Sequence, residues 1–149
     1  MPDPQPTLSS EIDAIRQAYA ALNRGDVQGF VHLFDPQIER IERIEPAECP
    51  SGRIYRGLAE VTEHVSKGRA TWAEGGCEPR RFIVAGDRVL VLVDVRVRLT
   101  GETQWREGRI ADGYAFRNGK AIAFHTFADE RQAREWAGIE ASDATGHAI

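Results

Sequence analysis

From Arg88 onward the chain alternates, with Val89, Val91, Val93, Val95 and Val97 set against Leu90, Leu92, Asp94, Arg96 and Arg98. A period of two over so long a run predicts an extended strand with one face to bury. Thr100, Gly101 and Glu102 interrupt it, and a second run follows from about Gln104 to Phe116. Asn118-Gly119 then predicts a two-residue hairpin turn, because such a turn demands positive φ and these residues tolerate it. A third run, Ala121 to Phe127, returns antiparallel. Three long strands joined by short turns predict a curved sheet.

Upstream, the spacing changes to that of helices. Ile12, Ile15, Tyr19 and Leu22 share one face of a helix beginning at Ser9 or Ser10, with Asp13 near the positive end of its dipole. Gly25 supplies its left-handed stop. Asp26 caps a shorter helix carrying Val27, Phe30, Val31 and Phe34, ended by Asp35-Pro36. Ile38 to Glu45 repeats Ile-Glu-Arg and is expected to be a short strand, since Pro36 and Pro46 leave too little room for a helix. Its charges read as a solvated edge. A loop through Pro46, Cys49, Pro50, Ser51 and Gly52 leads to Tyr55-Arg56-Gly57. A third helix is expected from Leu58 to about Trp72, with Leu58, Val61, Val65 and Trp72 inward and Gly75-Gly76 as its stop. Glu78 to Ala85 reads as another strand, and Glu130 to Ile139 as a short terminal helix around Ala133, Trp136 and Ala137. Residues 1–8 read as a loose Pro-rich arm and residues 141–149 as a loose tail. The whole chain of 149 residues is expected to be a single domain.

Composition narrows the class of function. A net charge of −4 and a pI near 5.6, with no basic run, argue against a nucleic-acid-binding face. No apolar segment approaches the roughly 20 residues that span a bilayer, so no membrane partner is expected. The first residues lack the features of a signal peptide, which makes the cytoplasm the expected compartment. Cys49 and Cys77 have no metal-ligand spacing, and in a reducing compartment no disulfide is expected between them.

The order of these elements gives an α+β fold. At Ala20-Ala21-Leu22-Asn23-Arg24-Gly25-Asp26, Leu33-Phe34-Asp35-Pro36, Tyr55-Arg56-Gly57, Gly86-Asp87-Arg88-Val89 and Phe116-Arg117-Asn118-Gly119-Lys120, the chain resembles the nuclear-transport-factor-2-like superfamily. Within that superfamily it resembles the SnoaL-like proteins. Phe127 and Asp129, followed by Ala133 and Gly138, extend the likeness, which runs from about Ile12 to Ile139. These residues encode turns and caps, so they specify architecture and not reaction. The resemblance implies a cone: a curved antiparallel sheet wrapped around three N-terminal helices, with a short C-terminal helix and a pocket at the open end. Members include ketosteroid isomerases, polyketide cyclases, epoxide hydrolases and dehydratases, and also partners that bind without catalysis. Homodimers through the outer sheet face are common among them. Here Leu90, Leu92 and Trp105 are the residues expected to supply such an interface.

If Tyr114 and Phe116 point inward, Asp112 does too. A carboxyl inside an apolar cone is costly to ionise, so its pKa should rise. Asp112 would then serve as a general acid or base, or donate to a developing oxyanion. Its place resembles that of the protonated aspartic acid in ketosteroid isomerases. The alternative is an Asp112 paired with Arg40 or Arg106. The same alignment puts the isomerase tyrosine at Ala18, leaving Tyr19 about 100° round the helix. It puts the isomerase base near Arg40, which cannot abstract a proton. Steroid isomerisation is therefore disfavoured. A one-residue slip would place Glu39 or Ile41 there instead.

On the last strand the bulkier set of Ile122, Phe124 and Thr126 is expected inside, with His125 outside or at a dimer contact. His125 would be the better acid–base group near neutral pH. His32 and His64 read as boundary histidines. Tyr55, Trp72, Tyr114, Phe116, Phe124 and Thr126 are expected to bind substrate with the valine stripe as wall, and Arg40 to select an acidic ligand. The candidate catalytic residues are Asp112, Tyr19 and His125. No metal site and no cofactor is expected. The expected function is that of a small-molecule pocket protein, as a cofactor-independent isomerase, cyclase or dehydratase acting on a carbonyl-containing substrate. The alternative is a non-catalytic binding module for an acidic or apolar metabolite.

Overall fold

A computed structural model of the chain describes residues 8–43 and 53–139. The expected arm up to Thr7, the loop with Cys49 and the tail from Ala141 lie outside the described residues. Among those described, the elements are helix α1 (Ser9–Asn23), helix α2 (Val27–Val31), strand β1 (Phe34–Arg43), strand β2 (Arg53–Arg56), helix α3 (Leu58–Ala70), strand β3 (Trp72–Ala85), strand β4 (Arg88–Leu99), strand β5 (Arg106–Arg117), strand β6 (Lys120–Phe127) and helix α4 (Glu130–Ala137). The strands form one sheet in the order β2-β1-β6-β5-β4-β3. All neighbours are antiparallel except β1 and β6, which run parallel. Irregular pairing within β1, β3 and β5 bends the strands and raises their twist, and the sheet curls around the N-terminal helices.

The first helix forms as expected: Ile15, Tyr19 and Leu22 are buried, and Gly25 follows with φ of 88°. Asp26 caps α2 by accepting the Gly29 N–H at 3.0 Å. That helix is shorter than expected, because Phe34 opens β1 instead of closing α2. Pro36 disfavours helical geometry at Asp35 and has no N–H to give, so the chain extends before it arrives. Phe34 still packs on Phe30, ring centroids 5.5 Å apart.

Two expectations around the third helix are corrected. Trp72 is the first residue of β3, and α3 stops at Ala70 with the Thr71 hydroxyl donating to the Gly68 carbonyl at 2.7 Å. Gly75-Gly76 is not a helix stop but part of β3. Gly75 has φ of 99°, and a Cβ there would stand 2.0 Å from the Arg96 carbonyl oxygen. Beside it the Asn23 carboxamide bonds both the N–H and the carbonyl of Cys77, each at 2.8 Å, and fastens the end of α1 to β3. The strand β2, which the sequence reading left as part of a loop, pairs Tyr55 with Arg40 of β1.

The sheet buries both faces. Inside, Val89, Val91, Val93, Tyr114, Phe116 and Phe124 pack against Ile15, Tyr19 and Phe30. Each such side chain contributes on the order of 1.5–3 kcal/mol. Outside, Leu90, Leu92, Ala111 and Phe127 lie beneath Ala133 and Trp136 of α4. Leu90 and Leu92 are therefore not free for a dimer contact, because the chain's own C-terminal helix covers them. No described helix is long and apolar enough to cross a membrane.

Candidate functional site

Register brings the polar groups together. Asp112 of β5 faces Thr126 of β6, and across β6 Arg40 and Glu42 of β1 stand opposite Phe124 and Thr126. The two-residue period then puts all of these on the inner face. They line a pocket of about 390 Å³ closed by Tyr19 and Phe30 on one side and by His64 and Trp72 on another. Apolar walls with a few convergent polar groups suit a small organic ligand. A wider open groove of about 840 Å³ near Asn23 is bordered by Arg80, Asp94 and Arg109, but those charges are already paired with one another at 2.8 Å.

The centre of the pocket is Asp112, only 3% exposed. Its Oδ1 accepts from the Thr126 hydroxyl at 2.6 Å, and its Oδ2 accepts from the Tyr19 hydroxyl. The Tyr19 and Tyr114 oxygens lie 2.8 Å apart. A hydroxyl has one proton. With the Tyr19 proton given to Asp112, Tyr114 donates to Tyr19. With the Thr126 proton given to Asp112, its oxygen accepts from Arg40 Nη1 at 2.7 Å. Two files of donors thus converge on one carboxyl. Burial pushes its pKa up, and the Arg40 charge with the Thr126 and Tyr19 bonds acts against that rise. Burial, reinforced by the charge of Asp112, holds the Tyr19 and Tyr114 hydroxyls well above the usual phenol range. The Cys77 thiol on the pocket wall is pushed up to about 12, chiefly by burial.

Arg40 is buried too. Its guanidinium lies 3.9 Å from the Phe124 ring centre, and Nη2 donates to Glu42 Oε2 at 3.1 Å. Its Nε has no hydrogen-bond partner. The Glu42 carboxylate also lies 3.3 Å from His64 Nε2, and that bond, with Arg40 beside it, holds its pKa below the usual range. Tyr55 stacks on the His64 ring with centroids 3.9 Å apart.

Of the residues singled out from sequence, Asp112, Tyr19, Arg40, Trp72, Phe124 and Thr126 line this pocket. Tyr114 stands behind it as a donor, and Phe116 packs against Tyr114 in the core. Tyr55 reaches the site only through His64. Of the valine stripe, Val95 lines the pocket, while Val89, Val91 and Val93 are core. His125 is corrected as a candidate catalytic residue: as the bulk of its neighbours predicted, it lies on the outer face beneath Trp136, ring centroids 4.9 Å apart. Its position one residue from Thr126 on a strand requires this. Tyr19, a candidate from the sequence, does reach the pocket. The expected 100° displacement does not remove it, because a long phenol ring still reaches Asp112. Arg106 is exposed and paired with Glu102 at 2.7 Å, so the expected Asp112–Arg106 pair does not form. Arg40, not Glu39 or Ile41, faces the pocket, and it meets Asp112 through Thr126.

Glu42 was missed, and His64, expected to be a boundary histidine, lines the pocket. The parity that brings Arg40 inward also brings Glu42, two residues on, and that was the available signal. Among the described residues no three His, Cys, Asp or Glu side chains are grouped to hold a metal ion.

Comparisons with known proteins agree with this architecture. TerC, in a crystal structure with polyporic acid, is 24% identical with a TM-score of 0.69, covering 87% of this chain and 99% of TerC. An NTF2-like protein of unknown function from Burkholderia pseudomallei K96243 is 23% identical with a TM-score of 0.70, covering 85% of this chain and 96% of that one. A protein with a ketosteroid isomerase-like fold from Catenulispora acidiphila, in complex with trimethylamine, is 13% identical with a TM-score of 0.68, covering 90% and 96%. At these identities the likeness is one of fold. No curated protein sequence matches the chain significantly. The family model of the SnoaL-like domain matches residues 15–135, which contain every residue of the pocket, and the chain belongs to that family.

Proposed function

We propose that the chain is a small-molecule enzyme that moves a proton next to a carbonyl without a cofactor, in an isomerisation, cyclisation or dehydration. One observation carries the reading: a buried carboxyl, Asp112, at an apolar pocket, with both oxygens engaged by hydroxyls that are themselves supported by Tyr114 and Arg40. Burial favours the neutral acid and the donors favour the carboxylate, so each form has groups that support it. An acid balanced in this way can give a proton and take it back. When neutral, Asp112 donates to the substrate oxygen as charge develops there, while the Tyr19 and Thr126 hydroxyls hold the carboxyl in place. Trp72 and Phe124 hold the apolar body of the substrate. Arg40 stands where an isomerase of the steroid type keeps its base, which speaks against that substrate class.

The test is exchange of the α-protons of 2-tetralone in D2O, followed by NMR. Wild type should accelerate exchange over buffer, and Asp112→Asn should lose about a hundredfold in rate with KM within about threefold. A second reading rests on the unpartnered Nε of buried Arg40: a binding module for an acidic metabolite. It prevails if 2-tetralone exchanges no faster than in buffer while polyporic acid binds and Arg40→Gln weakens that binding about tenfold or more. The cytoplasmic location belongs to the same proposal. So does pairing of two copies through the outer face. With Leu90 and Leu92 covered, such pairing falls to the strip around Trp105, and sedimentation velocity decides it.

A further inference from the structure

The proposed chemistry needs two stations. Asp112 serves the oxygen of the substrate, but removing a proton from carbon needs an acceptor elsewhere in the pocket. Arg40 cannot be it, since a guanidinium stays charged. The acceptor must line the same cavity, carry a basic lone pair, and be fixed in orientation. His64 meets these conditions. It lines the pocket from α3, and its Nε2 lies 3.3 Å from the Glu42 carboxylate. An imidazole that donates Nε2–H to a carboxylate keeps its lone pair on Nδ1. Tyr55 of β2 covers one face of the ring at 3.9 Å, with the planes only 13° apart, which restricts its rotation. Side chains from two separate strands therefore fix one imidazole carried by a helix, and an exposed surface ion pair would not need that.

Glu42 itself is the weaker candidate. Arg40 and His64 both bond it, and a carboxylate so held is a poor proton acceptor. Its place between the two makes it the group that orients His64. Arg40 on β1, Arg53 and Tyr55 on β2 and Asp112 on β5 also act on the pair; the arginines and the phenol offer no basic lone pair, and Asp112 is already given to the substrate oxygen.

We propose that His64, oriented by Glu42 and held by Tyr55, is the proton acceptor of the pocket. On this view the substrates carry an acidic C–H at one end and a carbonyl oxygen at the Asp112 end. This rests on the enzymatic reading above. Nδ1 takes the proton from carbon, the C–H electron pair forms a C=C bond, and the carbonyl π pair moves to the oxygen, which Asp112 meets with its proton. Where a second C=C adjoins the new one, His64 returns the proton to the far carbon and the C=C shifts into conjugation. The carbonyl reforms as Asp112 takes its proton back from the oxygen, which completes an isomerisation.

The experiment separates the two stations with 5-nitrobenzisoxazole. Its ring opens when a base removes the single ring-carbon proton: the C–H pair completes a nitrile, the N–O bond breaks, and the electrons leave as a coloured phenolate. That leaving group needs little help from an acid. Full-length wild type should open the ring faster than buffer. His64→Ala should lose about tenfold or more in kcat, and added imidazole should restore part of the rate. Glu42→Gln should lower kcat several-fold with little change in KM, as expected of a positioning residue. Asp112→Asn should lose less than His64→Ala here and more than it in 2-tetralone exchange. His64→Gln, which keeps a donor toward Glu42, guards against loss of folding and should be as impaired as His64→Ala. The inference is overturned if His64→Ala opens the ring as fast as wild type, or if wild type is no faster than buffer. If 2-tetralone exchange meanwhile depends on Asp112, the enzymatic reading survives and only the assignment of His64 falls.

Discussion

Thr126 and His125 are neighbours on β6, both are buried, and they face opposite ways into two differently built interiors. On the inner side every polar group near Asp112 has a role: Tyr114 supports Tyr19, Arg40 supports Thr126, and both hydroxyls converge on the carboxyl. On the outer side neither nitrogen of His125 has a hydrogen-bond partner, and the nearest carboxylate, that of Glu39, is 3.9 Å away. Burial, with Arg43, Arg40 and Arg88 adding repulsion, lowers the His125 pKa to about 4. The inner region therefore holds a titratable group in a network able to support its charge. The outer region holds one that serves as a neutral aromatic filler. Burial alone does not mark a functional group; what distinguishes the two is whether the neighbours can answer a change of charge.

The sharpest way to break this contrast is Asp112→Ala. It leaves the Tyr19 and Thr126 hydroxyls without their acceptor and takes a carboxyl away from the buried Arg40 charge, and should cost about 3 kcal/mol or more in urea unfolding. On the outer side the largest effect is one of pH. The folded pKa of His125, about 4, lies below the ordinary 6.5, so the unfolded chain binds this proton first as pH falls. Its contribution is fully present above pH 6.5 and is lost between 6.5 and 4, to a total of about 3 kcal/mol. His125→Leu should be near neutral at pH 7 and should flatten that part of the stability–pH curve. Gly113→Ala acts on the same region, since a Cβ there would stand 2.5 Å from the Trp136 ring. Displacing Trp136 should cost about 1–3 kcal/mol, visible as faster hydrogen exchange in α4. The smallest expected effect is Tyr114→Phe, which removes one hydrogen bond and keeps the stacked ring. About 1 kcal/mol should be lost, with the Tyr19–Asp112 bond intact in a crystal structure.

The inner region was legible in the sequence to the extent that parity governs it. Asp112, Tyr114 and Phe116 share a face because a strand has a period of two, and the bulk of Phe124 and Thr126 told them apart from His125. Trp72 and Gly75-Gly76 were misread because a glycine pair following a helical run looks the same whether it stops a helix or kinks a strand. Only the approach of the Arg96 carbonyl shows which it is. Glu42 and His64 were passed over because their contact joins β1 to α3, and no local spacing encodes it. The fate of Leu90 and Leu92 was hidden for a similar reason. Alternation says that they form a face, and what covers that face depends on a helix about forty residues later.

That helix has a consequence for how the protein is made. α4 follows every strand it covers, so it can dock only onto a sheet that has already formed. Until it docks, Leu90, Leu92 and Phe127 stand bare beside His125, which is then wet and free to take a proton. A chain with α4 undocked would present a sticky surface to chaperones or to sister chains. Docking of Trp136 over Gly113 is the event that ends this exposure.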